Sequence, residues 1–183
     1  MEQLVTGCER SGTKMLSKRL GEKYNIHFTL ENKHTIACFK YHQELQRWNK
    51  YKDEKLESSF INKFEKHTLN EEINIEFLKW VKESFPNVKI YYIIRDGRNV
   101  VSSIINKVWG HSQTRGEYRI NLKEACTQWN TVIDKTWDWA LENCEIVKYE
   151  DVCNIVSNPL TNEQLIETTN LIHHNLNKTN YNI

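Results

Sequence analysis

Short apolar runs alternate with stretches of helical periodicity along this chain, a pattern typical of an α/β domain with a parallel sheet. We predict a first strand over residues 3–6 and a second over 35–41. The nearly continuous apolar run at 89–94 predicts a strand buried on both faces, and 145–148 predicts a short fourth strand. The expected fold is therefore a central, mostly parallel sheet of about four to five strands, flanked by helices.

The helical periodicities fall between these strands. Helices are predicted over 13–22, 71–85, 97–107 and 122–140, and a capping box formed by Thr161 and Gln164 begins a last helix. Residues 42–70 are densely charged and carry Leu56, Phe60 and Phe64 at helical spacing, so we expect a charged helical insertion or lid there. Residues 108–121 are expected to form a mobile loop. The whole chain, 1–183, is predicted to be one domain.

The composition and net charge argue against several classes of protein. The 25 basic and 24 acidic side chains of the 183 residues leave a net charge of +1, which argues against a protein that coats nucleic acid or an anionic membrane. No apolar run is long enough to cross a bilayer, and the first residues lack a signal-peptide pattern. Five scattered cysteines suit a reducing compartment, so we expect a cytoplasmic protein. Histidines and cysteines show no metal-ligand spacing, and no metal site is predicted.

The sharpest chemical signal is the turn after the first strand, Gly7-Cys-Glu-Arg-Ser-Gly-Thr-Lys14. Its two glycines are five residues apart and the turn opens a helix, so that backbone N–H groups and the helix dipole can point at one anion. Arg10 adds a fixed positive charge beside that anion. We predict a phosphate-binding loop; the alternative is a glycine-rich turn that holds no ligand.

Two other kinds of phosphate loop differ from this one at a key residue. A nucleoside-triphosphatase loop needs a lysine where Thr13 stands and a magnesium-binding hydroxyl where Lys14 stands, which favours a donor that reacts without Mg²⁺. A cysteine-dependent phosphatase loop beginning at Cys8 needs an arginine where Lys14 stands. Cys8 is therefore expected to be a small loop residue and not a nucleophile.

A second candidate anion site follows the strand at 89–94. Arg95 stands at the carboxyl end of that strand, where ligands collect in doubly wound sheets, and Ser103 lies eight residues further on. A guanidinium and a hydroxyl suit a second phosphate that is separate from the first. The alternative is a surface Arg95 that pairs with Asp96 or a nearby glutamate.

Together, the two elements resemble those of the sulfotransferases that use 3′-phosphoadenosine 5′-phosphosulfate (PAPS). Gly7-x-x-Arg-Ser-Gly-Thr13 is similar to that family's 5′-phosphosulfate loop, and the segment from Arg95 to Ser103 is similar to its 3′-phosphate element. The resemblance implies a P-loop-NTPase-like α/β sandwich. It extends to Trp129 and to the later stretch Ile-Val-Lys-Tyr-Glu-Asp-Val at 146–152, and thus covers residues 4 to about 159.

The resemblance also implies an activity. A sulfonate group would pass from PAPS to a hydroxyl or amine of a small-molecule or saccharide acceptor without a metal, leaving 3′-phosphoadenosine 5′-phosphate (PAP). Arg10 would stabilise the departing phosphate. The residues that the resemblance assigns to the nucleotide are Arg10, Ser11, Gly12, Thr13 and Lys14 at the 5′ end, and Arg95 and Ser103 at the 3′ end.

The acceptor's proton needs a base. Phe39-Lys-Tyr-His42 resembles the Lys-Thr-His stretch of the cytosolic sulfotransferases, which makes His42 the expected base and places the charge of Lys40 near the sulfonate. Glu31 and Glu44 are the competing carboxylates. Two other functions stay open from the residues alone: a small P-loop kinase or nucleotide phosphohydrolase, and a nucleotide-binding module without catalysis.

Overall fold

A five-stranded parallel sheet forms the centre of the fold in the computed structural model, which describes residues 3–30, 60–63, 75, 78–79, 81–83, 85–107, 109–110, 117–153 and 159–181. In chain order the strands are β1 (Gln3–Gly7), β2 (His27–Leu30), β3 (Phe60–Lys63), β4 (Lys89–Ile94), β5 (Trp109–Gly110), β6 (Glu117–Tyr118) and β7 (Glu145–Lys148). The parallel sheet has the order β2-β3-β1-β4-β7, and β5 pairs antiparallel with β6. The predicted fold class, a P-loop-like α/β sandwich with a central parallel sheet, is confirmed.

Five helices with complete bounds accompany these strands: α1 (Thr13–Tyr24), α2 (Gly97–Ile105), α3 (Leu122–Asn143), α4 (Tyr149–Val152) and α5 (Asn162–Lys178). Residues 75, 78–79 and 81–83 are also helical, within the range predicted for a helix at 71–85. The predicted capping box at the start of α5 is present, because the Thr161 hydroxyl accepts from the Gln164 amide while the Gln164 side chain accepts from the Thr161 amide.

The alternation of side chains along β4 divides the core into two layers. Tyr91 and Ile93 pack with Leu16 of α1 on one face of the sheet. Tyr92 and Ile94 lie on the other face, where α2, α3 and α5 pack around the fully buried Trp129. Because successive side chains of a strand point to opposite faces, a strand covered on both sides needs apolar residues on both faces, as β4 has after the exposed Lys89.

The prediction of a helical insertion or lid over residues 42–70 is wrong for residues 60–63. Residues 60–63 form β3, which lies between β1 and β2 with Ile61 opposite both Gln3 and Phe28. The spacing of Leu56, Phe60 and Phe64 suggested a helix, but pairing within a sheet overrides so weak a local pattern. The rest of 42–70, and the strand predicted at 35–41, lie outside the described residues. The predicted loop at 108–121 contains β5 and β6, and β2 was not predicted.

Candidate functional site

The candidate site lies at the carboxyl ends of the neighbouring strands β1 and β4. Gly7 ends β1 opposite Ile93, with a positive φ of 149°, and a Cβ atom there would lie 2.3 Å from the carbonyl oxygen of Ile93. Only glycine therefore lets the chain leave β1 so close to β4. The turn that follows is consequently packed against the start of the segment that carries Arg95.

The loop of residues 7–12 curls back on itself. The Ser11 amide donates to the Cys8 carbonyl over 3.2 Å, Arg10 is left-handed with φ 65°, and Gly12 is left-handed with φ 90°. A Cβ atom on Gly12 would lie 2.6 Å from the Tyr149 ring. Cys8 is buried in the core, in keeping with the role of small loop residue expected for it.

The N-terminus of α1 opens directly from this loop. No side chain caps it, since the N-cap residue is Gly12. Ser11 and Thr13 are fully buried, whereas Lys14 is exposed in the first turn. The Ser11 hydroxyl has no hydrogen-bond partner among the residues that the structure describes. Uncapped N–H groups, the positive end of the helix dipole and a hydroxyl in need of a partner together suit a bound anion.

Arg95 joins the loop to the neighbouring strand end. Its Nη1 atom donates to the carbonyl oxygen of Arg10 over 3.1 Å, and its guanidinium carbon Cζ lies 4.1 Å from the centre of the Tyr149 ring. The residue is only 5% exposed, so this charge is held in a poorly solvated position. Burial is the main cause that raises the pKa of Tyr149, which keeps the ring a neutral phenol beneath the cation.

Arg10 connects the same loop to α2. Its Nε donates to the Ser103 hydroxyl over 3.1 Å, across 93 residues of sequence. The sulfotransferase resemblance assigned these two residues to separate phosphates, but in this structure the two predicted anion-binding elements contact each other directly. Arg10 is consequently linked to both predicted partners at the carboxyl ends of β1 and β4, to Ser103 through its side chain and to Arg95 through its carbonyl oxygen.

The turn between β4 and α2 has its own ion pair. Arg98 binds both carboxylate oxygens of Asp96, at 2.6 Å for the closest pair, and Asp96 also caps α2 by accepting from the Arg98 amide. This contact raises the pKa of the Arg98 guanidinium. The alternative considered from sequence was an Arg95–Asp96 pair at the surface; the structure shows Arg98 in that role and Arg95 buried.

Some of the predicted site residues cannot be placed. Lys40 and His42, and the competing carboxylates Glu31 and Glu44, lie outside the described residues, so the identity of the base stays a prediction. Tyr149, in contrast, contacts both Arg95 and Gly12 yet was not counted among the site residues. Its signal was the Tyr-Glu-Asp stretch directly after β7, a part of the sulfotransferase resemblance to which no site role was assigned.

The fold and the loop define the class of the protein as a P-loop-like α/β protein. A comparison with protein families finds no match, and neither does one with curated proteins. Among solved structures, the chain is similar to shikimate kinase from Bacteroides thetaiotaomicron, with 9% identity, coverage of 97% of this chain and 98% of that chain, and a TM-score of 0.52. At that identity the likeness shows the fold alone.

Two further kinases resemble the chain more weakly. Shikimate kinase from Aquifex aeolicus has 16% identity, coverage of 96% and 98%, and a TM-score of 0.49. A gluconokinase from Sinorhizobium meliloti has 11% identity, coverage of 98% and 95%, and a TM-score of 0.47.

These comparisons correct the predicted activity. Transfer of a sulfonate group from PAPS, and the assignment of the chain as a sulfotransferase enzyme, are wrong, because the similarity found among solved structures is to a small kinase, shikimate kinase. The kinase alternative weighed from the sequence fits the finding better. The sequence motifs favoured a sulfotransferase because the backbone loop that binds phosphate is alike in sulfotransferases and in P-loop kinases.

The residues do not fit the magnesium site that such a fold implies. In a P-loop, a Ser or Thr hydroxyl binds Mg²⁺ at the position where this chain has Lys14, and an ammonium cannot ligate a cation. The nearest hydroxyl, that of Thr13, stands one residue earlier, and Thr13 is fully buried. Within the described ranges, no group of three His, Cys, Asp or Glu side chains is arranged so that it could hold a metal ion. Helices in those same ranges also lack the combined length and apolar character that crossing a membrane requires.

Proposed function

We propose that the protein is a small P-loop phosphotransferase that binds the phosphates of a nucleoside triphosphate in the loop of residues 7–12. A phosphoryl group would pass from this nucleotide to a hydroxyl group of a small molecule. One observation carries the proposal: the uncapped N-terminus of α1 and the buried guanidinium of Arg95 follow adjacent strands, and Arg95 bonds to the loop that opens α1. The sheet that holds them has the fold of a small kinase.

The chemistry of phosphoryl transfer supports this assignment. The transition state carries charge on the oxygens of the transferred group, and proteins stabilise it mainly by positioning and by fixed positive charge. In this chain the loop N–H groups, Arg10 and Arg95 supply that charge, since a lysine is lacking at the P-loop position occupied by Thr13. Lys14, exposed in the first turn of α1, would contact an outer phosphate.

Ligand-induced thermal stabilisation tests the proposal. ATP, ADP and PAP are each added with and without Mg²⁺, because the adenosine bisphosphate predicted from the sequence is the discriminating competitor. We expect ATP and ADP to raise the melting temperature by several degrees. Stabilisation by PAP with none by ATP would contradict the proposal. Formation of ADP, stimulated by members of a panel of small hydroxy compounds, then tests the transfer itself.

A pair of lysines on α1 provides a matched control. Lys14 and Lys18 are both exposed, but Lys14 lies next to the loop, while Lys18 lies one turn further on and pairs with Glu22 at 3.9 Å. We expect Lys14→Ala to weaken ATP binding by about tenfold, the usual effect of losing one charge-assisted contact, and Lys18→Ala to leave it unchanged. Equal effects of the two substitutions would mean that the nucleotide does not bind at the α1 N-terminus.

A further inference from the structure

The C-terminal end of α5 is built to turn the chain back toward the candidate site. Asn180 is left-handed with φ 58°, its amide donates to the Asn177 carbonyl over 3.2 Å, and the Tyr181 amide donates to the Leu176 carbonyl over 2.9 Å. These two nested bonds form a Schellman motif, which ends a helix and fixes the direction of the chain after it. The motif therefore determines where the Tyr181 side chain goes.

The Tyr181 hydroxyl reaches the end of β4. It donates to Glu150 Oε2 over 2.6 Å and lies 3.4 Å from the carbonyl oxygen of Ile94, the last residue of that strand. The Lys148 ammonium lies 5.1 Å from the centre of the Tyr181 ring. Burial, with the bond to Glu150 as the next cause, raises the pKa of Tyr181, so the phenol stays protonated and keeps its role as donor.

Glu150 links Tyr181 to the turn that carries Arg95. Its second oxygen, Oε1, accepts from the backbone amide of Asp96 over 3.2 Å. Asp96 is the residue after Arg95 and the N-cap of α2. Both oxygens of the Glu150 carboxylate are thus engaged, one by the phenol and one by the peptide next to the guanidinium.

We propose that Tyr181 is a positioning residue, which holds the Glu150 carboxylate against the Asp96 amide and thereby fixes the turn that presents Arg95 to the phosphate-binding loop. The inference rests on the proposed function for its consequence, the binding of phosphate. A glutamate free to rotate near this site would also repel an anion, and the phenol removes that freedom by binding one of its oxygens.

The test compares Tyr181→Phe with Tyr92→Phe, which removes a different buried hydroxyl. Tyr92 bonds to Thr136 over 2.7 Å in the core between β4 and α3, and so controls for the loss of a phenolic hydrogen bond. Two quantities are measured in the intact chain: the hydrogen-exchange rate of the Asp96 amide, by NMR without ligand, and the affinity for inorganic pyrophosphate, by calorimetry. Glu150→Ala, alone and combined with Tyr181→Phe, completes a double-mutant cycle.

We expect Tyr181→Phe to speed exchange of the Asp96 amide and to weaken pyrophosphate binding, each by about five- to tenfold, while Tyr92→Phe leaves both unchanged. In the Glu150→Ala background, Tyr181→Phe should add nothing, because its effect acts through that carboxylate. Unchanged Asp96 exchange in Tyr181→Phe overturns the proposal, as does full affinity despite faster exchange. If the unmodified chain binds no pyrophosphate, the proposed function fails, and Asp96 exchange alone then decides whether Tyr181 fixes the turn.

Discussion

The Nε atom of Arg10 donates to the hydroxyl of Ser103 over 3.1 Å, which joins the β1–α1 loop to α2 through two residues that the sequence assigns to different phosphates. Arg10 is exposed and is left-handed without being glycine. This conformation costs a residue other than glycine about 1 kcal/mol of backbone strain, a cost that glycine at this position would avoid.

Arg10→Gly should separate binding from stability. Glycine relieves the left-handed strain while the guanidinium is lost, so we expect an unchanged or slightly higher melting temperature together with ATP binding weakened by about tenfold or more. Thermal unfolding and calorimetric titration of the same samples check the two effects. A variant that melts normally and binds ATP as well as the unmodified chain would remove Arg10 from the phosphate site.

Gly12→Ala is expected to destabilise the protein by about 2 kcal/mol or more, because alanine is strained at φ 90° and its Cβ would lie 2.6 Å from the Tyr149 ring. In a chain of this size that loss lowers the melting temperature by roughly 5 °C. The control is Asn25→Gly, at the left-handed residue that ends α1, where glycine is tolerated and the melting temperature should hold. Comparable melting of Gly12→Ala and the unmodified chain would show that the loop is not held against Tyr149.

Alkaline pH should weaken the fold. Burial raises the pKa of Tyr91 to about 12 and also raises the pKa of Tyr92, so above about pH 10 the unfolded chain releases phenolic protons that the folded chain retains. The folded state then binds more protons, and the free energy of unfolding falls as pH rises, by about 1.4 kcal/mol per pH unit for each such group. Denaturant unfolding between pH 9 and pH 11 measures the slope, and Tyr92→Phe should make it shallower. A slope that this substitution leaves unchanged would mean that Tyr92 ionises alike in both states.

Two cysteines should be slow to alkylate. Burial raises the pKa of Cys126 to about 11 and that of Cys144 to about 12, which leaves little reactive thiolate at neutral pH. Iodoacetamide at pH 8, followed by peptide mapping, should label both residues in the denatured chain and neither in the folded chain within the same time. Rapid labelling of the partly buried Cys144 in the folded chain would contradict the raised pKa of its thiol.

Much of the fold could be predicted from the sequence, because β1, β4 and β7 each contain consecutive apolar residues, and α3 and α5 carry clear apolar stripes with capping residues at their starts. The strands β2 and β3 could not. β2 has no two consecutive apolar residues, and Phe60 of β3 shares a helical spacing with Leu56 and Phe64, so the two strands become apparent only through their pairing in the sheet.

The candidate site was predictable in its loop and in Arg95, where glycine spacing and a charge after a buried strand indicate anion binding. The contact between Arg10 and Ser103 was not, because no local pattern reports a hydrogen bond across 93 residues. The contact between Tyr181 and Glu150 could not be predicted either, since it depends on the C-terminal cap of α5, which directs the Tyr181 side chain. The reaction was misassigned because a phosphate cradle identifies an anion and leaves open the group that is transferred.

Calorimetric titration of ATP into the unmodified chain and into Arg95→Ala tests the central claim most directly. Arg95 holds the loop through the Arg10 carbonyl and supplies a buried guanidinium beside it, so we expect measurable ATP binding that falls by at least tenfold in the variant, with circular dichroism confirming that the variant is folded. Equal affinity in the two proteins, or binding of PAP where ATP does not bind, would contradict a nucleoside triphosphate site at this loop.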